Sequence, residues 1–271
     1  MLAEDEPAAV QTVNARGRSS VVLVCDHASN RVPCSLGNLG LTPEVLGSHI
    51  AWDPGAASVA HDLAGQLDAS LLLSGYSRLV IDCNRPLESP ESIAAYSAGI
   101  PVPGNQALTP EYREARIASC FRPYHEAIAA LLDGRGHRPT VLISLHSFTP
   151  SLDGQHRPWQ IGVSSWQDSR LATCIREALG APGDLVVGNN EPYPIDEAFD
   201  YTIPVHGEGR GLPCAMIEIR QDEIGNQAAA ARWATYLANV YRQIEGATLE
   251  LWDARSSEND PLASGPSRRT F

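Results

Sequence analysis

The ten residues from Val21 to Asn30, VVLVCDHASN, change character abruptly. An aliphatic run rich in β-branched residues stops at Cys25, and Asp26 and His27 follow before a stretch of small residues. A short apolar run of this kind reads as a buried strand, and its end delivers polar groups to one edge of a sheet. The stretch Thr140 to His146, TVLISLH, has the same form and is followed by Ser147-Phe148-Thr149-Pro150. Two apolar strands that each end in a histidine predict one shared site, and the rest of the chain can be read outward from it.

Strand and helix signals alternate around these two stretches. Pro54 to Leu67 is expected to be helical, with Asp53 at the N-cap and Pro54 at the first helical position. Ser70 to Ser74 and Arg78 to Asp82 read as short strands. Thr109 precedes a helix from Pro110 to about Leu132, and Asp168 to Leu179 and Glu223 to Glu245 carry helical spacing. Gln160 to Ser164, Leu185 to Val187 and Ala215 to Arg220 complete the strands. This alternation predicts an α/β layered fold with a largely parallel sheet. In such sheets ligands bind beyond the carboxyl ends of the strands, where His27, Asn84 and His146 fall. Residues 1–17 are acidic and aperiodic and are expected to form a flexible tail. Residues 18–252 form a single domain, and the polar, Ser/Pro/Gly-rich residues 253–271 form a second flexible tail.

The chain has 271 residues, a net charge of -12 and a pI near 5.0. That balance argues against nucleic acid or an anionic membrane surface as partner. Lysine is absent and every side-chain cation other than histidine is arginine, so no lysine Schiff base is possible and an anionic substrate must be held by Arg, His or backbone N–H. The six cysteines show no C-x-x-C spacing and read as reduced thiols. The start, MLAEDEPAAV, has no basic region followed by an apolar one, and no apolar run approaches the roughly 18 residues of a membrane helix. A soluble cytoplasmic protein is expected, as a monomer or small homo-oligomer.

His27 and His146 are the first candidates for chemistry, because neutral imidazole is a good zinc ligand and a catalytic zinc takes three protein ligands and water. The third ligand is open. Asp53 offers a carboxylate but also suits a helix cap, and Asn30, three residues after His27, offers only an amide. Asn84 and Arg85 close the stretch RLVIDCNRP, with Arg78 at its start, and arginine suits a carboxylate through paired hydrogen bonds. Glu218 and Arg220 share a face of the strand in MIEIRQD. A carboxylate on an apolar strand is costly to bury unless paired or functional, so Glu218 is either a general base or the partner of Arg220. His206 and Arg210 lie in the glycine-rich HGEGRG, which does not follow a strand and open a helix as a dinucleotide site requires. There is no Walker A stretch, no G-x-S-x-G and no H-E-x-x-H.

The motifs CDHASNRVP, HIAWDPGA, SRLVIDCNRP, RPYH, LHSFTP, HGEGRG and IEIRQD, in this order, resemble the N-formylglutamate amidohydrolase family over roughly residues 20 to 245. That family is similar to the zinc-dependent exopeptidases and their aspartoacylase and succinylglutamate desuccinylase relatives, which implies a three-layer α/β/α fold with a mixed sheet. The resemblance implies His27 and His146 as the first and last metal ligands, Asn84 and Arg85 as the carboxylate-binding pair, and Glu218 as the general base. Asn30 stands where the broader group has Glu, so the third ligand remains Asp53 or Asn30. The resemblance maps no exopeptidase role onto His206 or Arg210; in the reaction either could join the metal in stabilising the oxyanion, with His206 taken as catalytic beside Glu218, and Arg78, Arg210 or Arg220 would take a second substrate carboxylate. The implied reaction is zinc-dependent, or other divalent-metal-dependent, hydrolysis of a small anionic N-acyl amino acid, with N-formyl-L-glutamate giving formate and glutamate, a step of histidine degradation. The alternatives are a related amidohydrolase or carboxypeptidase-like enzyme acting on an N-acetyl, N-succinyl or peptide substrate, and a non-catalytic binder on the same fold.

Overall fold

The computed structural model describes residues 1–258, with side chains to residue 254. Its centre is a seven-stranded sheet. The strands are β1 (Val10–Val13), β2 (Val21–Cys25), β3 (Ser70–Ser74), β4 (Val141–Phe148), β5 (Ile161–Ser164), β6 (Val187–Asn189) and β7 (Cys214–Arg220). Their order across the sheet is β1-β3-β2-β4-β7-β5-β6. The four central strands β3, β2, β4 and β7 are mutually parallel, while β1 and β5 run antiparallel to their inner neighbours and β6 pairs parallel with β5. β2 and β3 are buried along their whole length, which is why they read as continuous apolar runs and not as alternating ones.

Five helices flank the sheet: α1 (Ala56–Leu67), α2 (Pro110–Arg116), α3 (Arg122–Gly134), α4 (Arg170–Gly180) and α5 (Gln227–Glu258). Val59 and Leu63 of α1, Ile175 of α4 and Trp233 and Leu237 of α5 pack with Leu23, Ile143 and Ile217 from one face of the sheet. Tyr124 and Ile128 of α3, with Ile203, pack with Val22, Val24, Leu142 and Met216 from the other. The period-2 alternation of each strand sorts its residues between these two layers. The result is a mixed, largely parallel α/β sheet between helices, as expected.

Several boundaries differ from the expectation. The residues read as an N-terminal tail include β1, and Gly75 N–H donates to Ala9 O (2.8 Å) while Tyr76 Oη–H donates to Pro7 O (2.7 Å). An edge strand of four residues is too short to announce itself by period. Residues 253–258, read as part of the second tail, continue α5; the remainder of that tail, 259–271, lies outside the described residues. Arg78 to Asp82 is a turn, not a strand. Leu79, Val80 and Ile81 are buried in a satellite cluster with Leu39, Val102 and Phe121, and a short apolar run does not by itself distinguish strand from buried loop.

The helix predicted from Pro110 has its Thr109 cap, with Thr109 Oγ1 accepting from Tyr112 N–H (3.4 Å), but α2 and α3 are joined by a π turn, Ile117–Phe121. Pro123 sits in the first turn of α3 and cannot donate to a carbonyl four residues back, and the wider turn accommodates that gap. A second π turn, Ile203–Gly207, carries Pro204 in the same way.

Candidate metal centre and substrate pocket

The carboxyl ends of β2, β3, β4 and β7 converge on one pocket. His27 follows β2 by two residues. His146 lies within β4, and Glu218 of β7 is its register partner on the neighbouring strand. Asp53 enters from the turn before α1. Asp53 O accepts from Ala56 N–H (3.2 Å), and Gly55 adopts a left-handed backbone (φ 83°) where an added Cβ would meet Ile224 O at 2.7 Å. Gly55, and not Asp53, therefore precedes the helix. The Asp53 carboxylate is released from capping and turns inward, and Asp53 N–H donates to His27 O (3.0 Å).

His27, Asp53 and His146 form a buried group whose ligand atoms lie within 4.8 Å of one another. Asp53 Oδ2 is 2.9 Å from His146 Nδ1 and 3.4 Å from His27 Nδ1, and it accepts from Ser147 N–H (3.2 Å). The outer nitrogens are each held by another buried carboxylate. His27 Nε2 is 2.7 Å from Asp82 Oδ1, and His146 Nε2 is 3.1 Å from Asp26 Oδ2. Asp82 is fixed by Arg78 (2.7 Å) and by the N–H of Asn84 (2.8 Å). Asp26 accepts from Tyr124 Oη, Thr202 Oγ1 and Ser144 Oγ at 2.9, 2.7 and 2.8 Å. His27 Nδ1 makes no hydrogen bond although it is buried. A carboxylate behind each imidazole and a free inner nitrogen is the arrangement that orients metal-ligating histidines.

The electrostatics agree. Asp26, Asp53, Asp82 and Glu218 are all at most 5 % exposed, and buried anions need a compensating cation. Burial works to raise Asp53, and His27 and His146 hold it below the usual carboxylate range. Burial also works against Asp26, which the hydrogen bond and charge of His146 keep low. Burial opposes charge on both histidines, but Asp82 and Asp53 raise His27, and hydrogen bonds to Asp26 and Asp53 raise His146 well above the ordinary value. The carboxylate charge that raises both rings is the charge a metal cation at the same place would balance. Burial pushes Glu218 up to about 7, with the charge of Asp53 adding and His146 opposing, and Glu218 Oε2 has no hydrogen-bond partner.

The pocket holds about 530 Å³ and is lined by His27, Asp53, His146 and Glu218 together with Arg78, Arg85, Tyr193, Phe199 and Asp200. The remaining sequence candidates separate sharply. Arg78 reaches the pocket and is clamped by Asp82. Arg85 reaches it too, donating from Nη1 to Phe199 O (2.8 Å) and Asn84 O (3.1 Å) and leaving Nε without a hydrogen bond.

Asn84 borders the pocket, but its amide is used inside the protein. Oδ1 accepts from the N–H groups of Tyr201 (3.1 Å) and Thr202 (3.0 Å), and Nδ2–H donates to Asp200 (2.9 Å). Asn30 is outside the group of potential ligands, because its amide donates to Leu46 O (3.0 Å). Arg220 turns away to donate to the carbonyls of Arg157, Pro158 and Trp159 and to pair with Asp222 (2.7 Å) and Glu223. Arg210 pairs with Asp133 (2.5 Å) and does not line the pocket. His206 is buried behind the pocket against His125.

The sequence reading assigns no role to Asp82 or Asp26. Both signals were available, since each is a carboxylate closing an apolar run, as Glu218 interrupts one. His49, Thr149, Tyr193 and Phe199 also line the pocket. His49 and Thr149 lie within the motifs HIAWDPGA and LHSFTP, where no role attaches to them, and Tyr193 and Phe199 lie on irregular segments outside those motifs.

An α/β protein with a carboxylate-buttressed histidine pair and an unpaired, near-neutral carboxylate on the floor of one pocket is equipped as a hydrolase. Residues 19–225 match the family model described as FGase, N-formylglutamate amidohydrolase, and the chain belongs to the N-formylglutamate amidohydrolase family, hydrolases acting on an amide bond. Among solved structures it is similar to gene product Atu2144 from Agrobacterium tumefaciens, with 37 % identity, a TM-score of 0.87, and coverage of 91 % of this chain and 98 % of that one. N-formylglutamate amidohydrolase from Ralstonia eutropha JMP134 shares the fold at 17 % identity and a TM-score of 0.64, over 93 % and 100 % of the two chains. No curated protein matches the chain.

Proposed function

We propose that the chain hydrolyses the amide bond of a small anionic N-acyl amino acid, with N-formyl-L-glutamate the first candidate, using a divalent metal ion held by His27, Asp53 and His146. The observation that carries this reading is the pair of histidines whose outer nitrogens are fixed by Asp82 and Asp26 while their Nδ1 atoms face Asp53. Two imidazoles and one carboxylate form the donor set of a catalytic zinc with an open position. Bound there, zinc would supply Lewis acidity and bring the pKa of a coordinated water to about 7.

The remaining chemistry belongs to the chain. Glu218, pushed up to about 7, is suited to take the proton of the attacking water and to return it to the nitrogen of the leaving amine. Water adds to the formyl carbon, the C–N bond breaks, and formate and glutamate are the products. Arg85, whose Nε lies 3.5 Å from Glu91 and whose Nη1 lies 3.6 Å from Asp200, and Arg78 line the pocket and would offer their charge to the substrate carboxylates. Asn84 contributes by fixing the 199–202 segment. A net charge of -12 repels a dianion at long range, so these two arginines have to act locally.

One observation favours a second reading, a longer substrate. Arg78, Arg85, Thr149 and Tyr193 also border a neighbouring hollow of about 270 Å³ that reaches Tyr96 and Leu152. A panel of N-formyl-, N-acetyl- and N-succinyl-L-glutamate, with and without chelator, tests both. Chelator-sensitive release of formate supports the first reading, preference for a longer acyl group supports the second, and no hydrolysis of any member contradicts both. Among the described residues none of the six cysteines forms a disulfide, in keeping with the reducing, cytoplasmic setting we propose. No helix among the described residues is long and apolar enough to cross a membrane.

A further inference from the structure

The motifs RPYH and HGEGRG have no part in the proposed chemistry, yet the fold brings their histidines together. His125, in the first turn of α3, and His206, in the π turn Ile203–Gly207, are 7 % and 4 % exposed. His125 Nδ1 is 3.0 Å from His206 Nε2, and the ring planes lie within 11° of each other with centroids 5.2 Å apart. The two nitrogens therefore point at one another along the shared ring plane. On its far side His125 Nε2 is 2.9 Å from Cys83 O. Phe121, Tyr124 and Tyr201 surround the His125 ring at centroid distances of 4.2, 5.2 and 4.5 Å, which keeps water out.

The positions of the hydrogens follow by elimination. A carbonyl oxygen only accepts, so His125 Nε2 carries a hydrogen. A neutral imidazole has one N–H, so His125 Nδ1 accepts and His206 Nε2 must donate. His206 Nδ1 is then a bare acceptor, and that atom has no hydrogen-bond partner. The alternative, a charged His125 donating to His206, would put an N–H on His206 Nδ1 with nothing to receive it. Burial holds both rings neutral, taking His125 down to about 4 and His206, with help from the His125 charge, to about 3.

The carbonyl that receives this relay is Cys83 O, between Asp82, which buttresses His27, and Asn84, which leads into Arg85. We propose that His125 and His206 form a hydrogen-ordered positioning pair, His206 Nε2–H to His125 Nδ1 and His125 Nε2–H to Cys83 O, that fixes the 82–85 turn and through it the orientation of His27 and Arg85. Neither histidine lines the pocket, so neither touches substrate. The same His206 turn follows Thr202, which donates to Asp26 behind His146 (2.7 Å), so both metal-facing histidines depend on segments that this pair joins.

The effects on Arg85 and on metal affinity rest on the hydrolysis and the metal site proposed above, whereas the hydrogen order does not. Long-range 1H–15N correlation spectra of the histidine rings in the full chain at pH 7, without metal, read the order directly. Both His125 and His206 are expected as the neutral Nε2–H tautomer. An Nδ1–H tautomer or a charged ring at either position overturns the assignment.

Positioning is tested with two substitutions at one site. His206→Gln keeps an N–H donor near the Nε2 position, and His206→Leu removes it at similar volume. The Leu variant should lose about tenfold in zinc affinity, the lower end of what outer-shell partners contribute, and should raise KM for N-formylglutamate more than it lowers kcat. The Gln variant should recover most of both losses. If Leu and Gln behave alike, or if the Leu loss merely tracks a fall in Tm, the pair has only a packing role. If zinc affinity responds as expected while no N-acyl glutamate is hydrolysed, the positioning stands and the proposed activity fails.

Discussion

Asp82 Oδ1 lies 2.7 Å from His27 Nε2, on the side of the ring opposite Asp53. The two carboxylates fix both the rotation and the hydrogen placement of one imidazole, and Arg78 holds Asp82 in turn. Replacing Asp82 by Asn keeps the volume and removes the charge that makes His27 a stronger donor. Metal affinity should fall about 10- to 100-fold, measured by competition with a zinc chelator, and excess zinc should restore part of the activity.

In the proposed mechanism Glu218 moves protons and does not hold the metal. Glu218→Gln should leave zinc affinity near that of the parent and reduce kcat by about 10²- to 10⁴-fold, the usual contribution of a positioned general base. Single-turnover assays on zinc-loaded protein would check this, and near-parental turnover would remove Glu218 from the mechanism.

The arginines divide by what they touch. Arg85→Ala should chiefly raise KM, because Arg85 lines the pocket. Arg220→Ala should leave KM unchanged in what still folds and cost about 1–3 kcal/mol of stability, since it strands buried carbonyl groups of residues 157–159. Steady-state kinetics and urea melts on both variants would separate the two roles, and reversed results would refute the division.

Stability should fall on acidification through the His125–His206 pair. In the unfolded chain both rings charge near pH 6.5, whereas in the folded chain burial keeps them neutral to about 4 and 3. The unfolded state binds more protons in that window, so stability rises with pH there and is lost as pH drops from about 6.5 towards 4. The slope is at most about 1.4 kcal/mol per pH unit for each ring. The Tm of metal-free parent, compared across pH with that of a His125→Gln, His206→Gln double variant, should show this excess loss. Parallel curves would mean that the rings charge as freely folded as unfolded.

Much of this was legible in the residues and some was not. Val21–His27 and Thr140–His146 announced two buried strands delivering histidines, because fully buried parallel strands are continuous apolar runs. Arg78–Asp82 carried the same apolar signal and turned out to be a packed turn, since local composition reports burial and not the hydrogen-bonding partner. Asp53 carries two local readings, cap and ligand, and the left-handed Gly55 two residues on takes the cap position instead. Arg210 and Arg220 looked as eligible as Arg85. Only their long-range partners, Asp133 and the carbonyls of 157–159, removed them, and such contacts leave no trace in a window of sequence. His206 was noticed through its glycine-rich loop, but its partner lies 81 residues away.

The central claim is that His27, Asp53 and His146 hold one divalent metal ion. Metal analysis of the full chain after zinc loading and exhaustive dialysis, run beside His146→Ala and Asp53→Ala, tests it most directly. The account predicts about one zinc per chain in the parent and loss of that ion in both variants. A parent that retains no metal, or variants that retain as much as the parent, would contradict it.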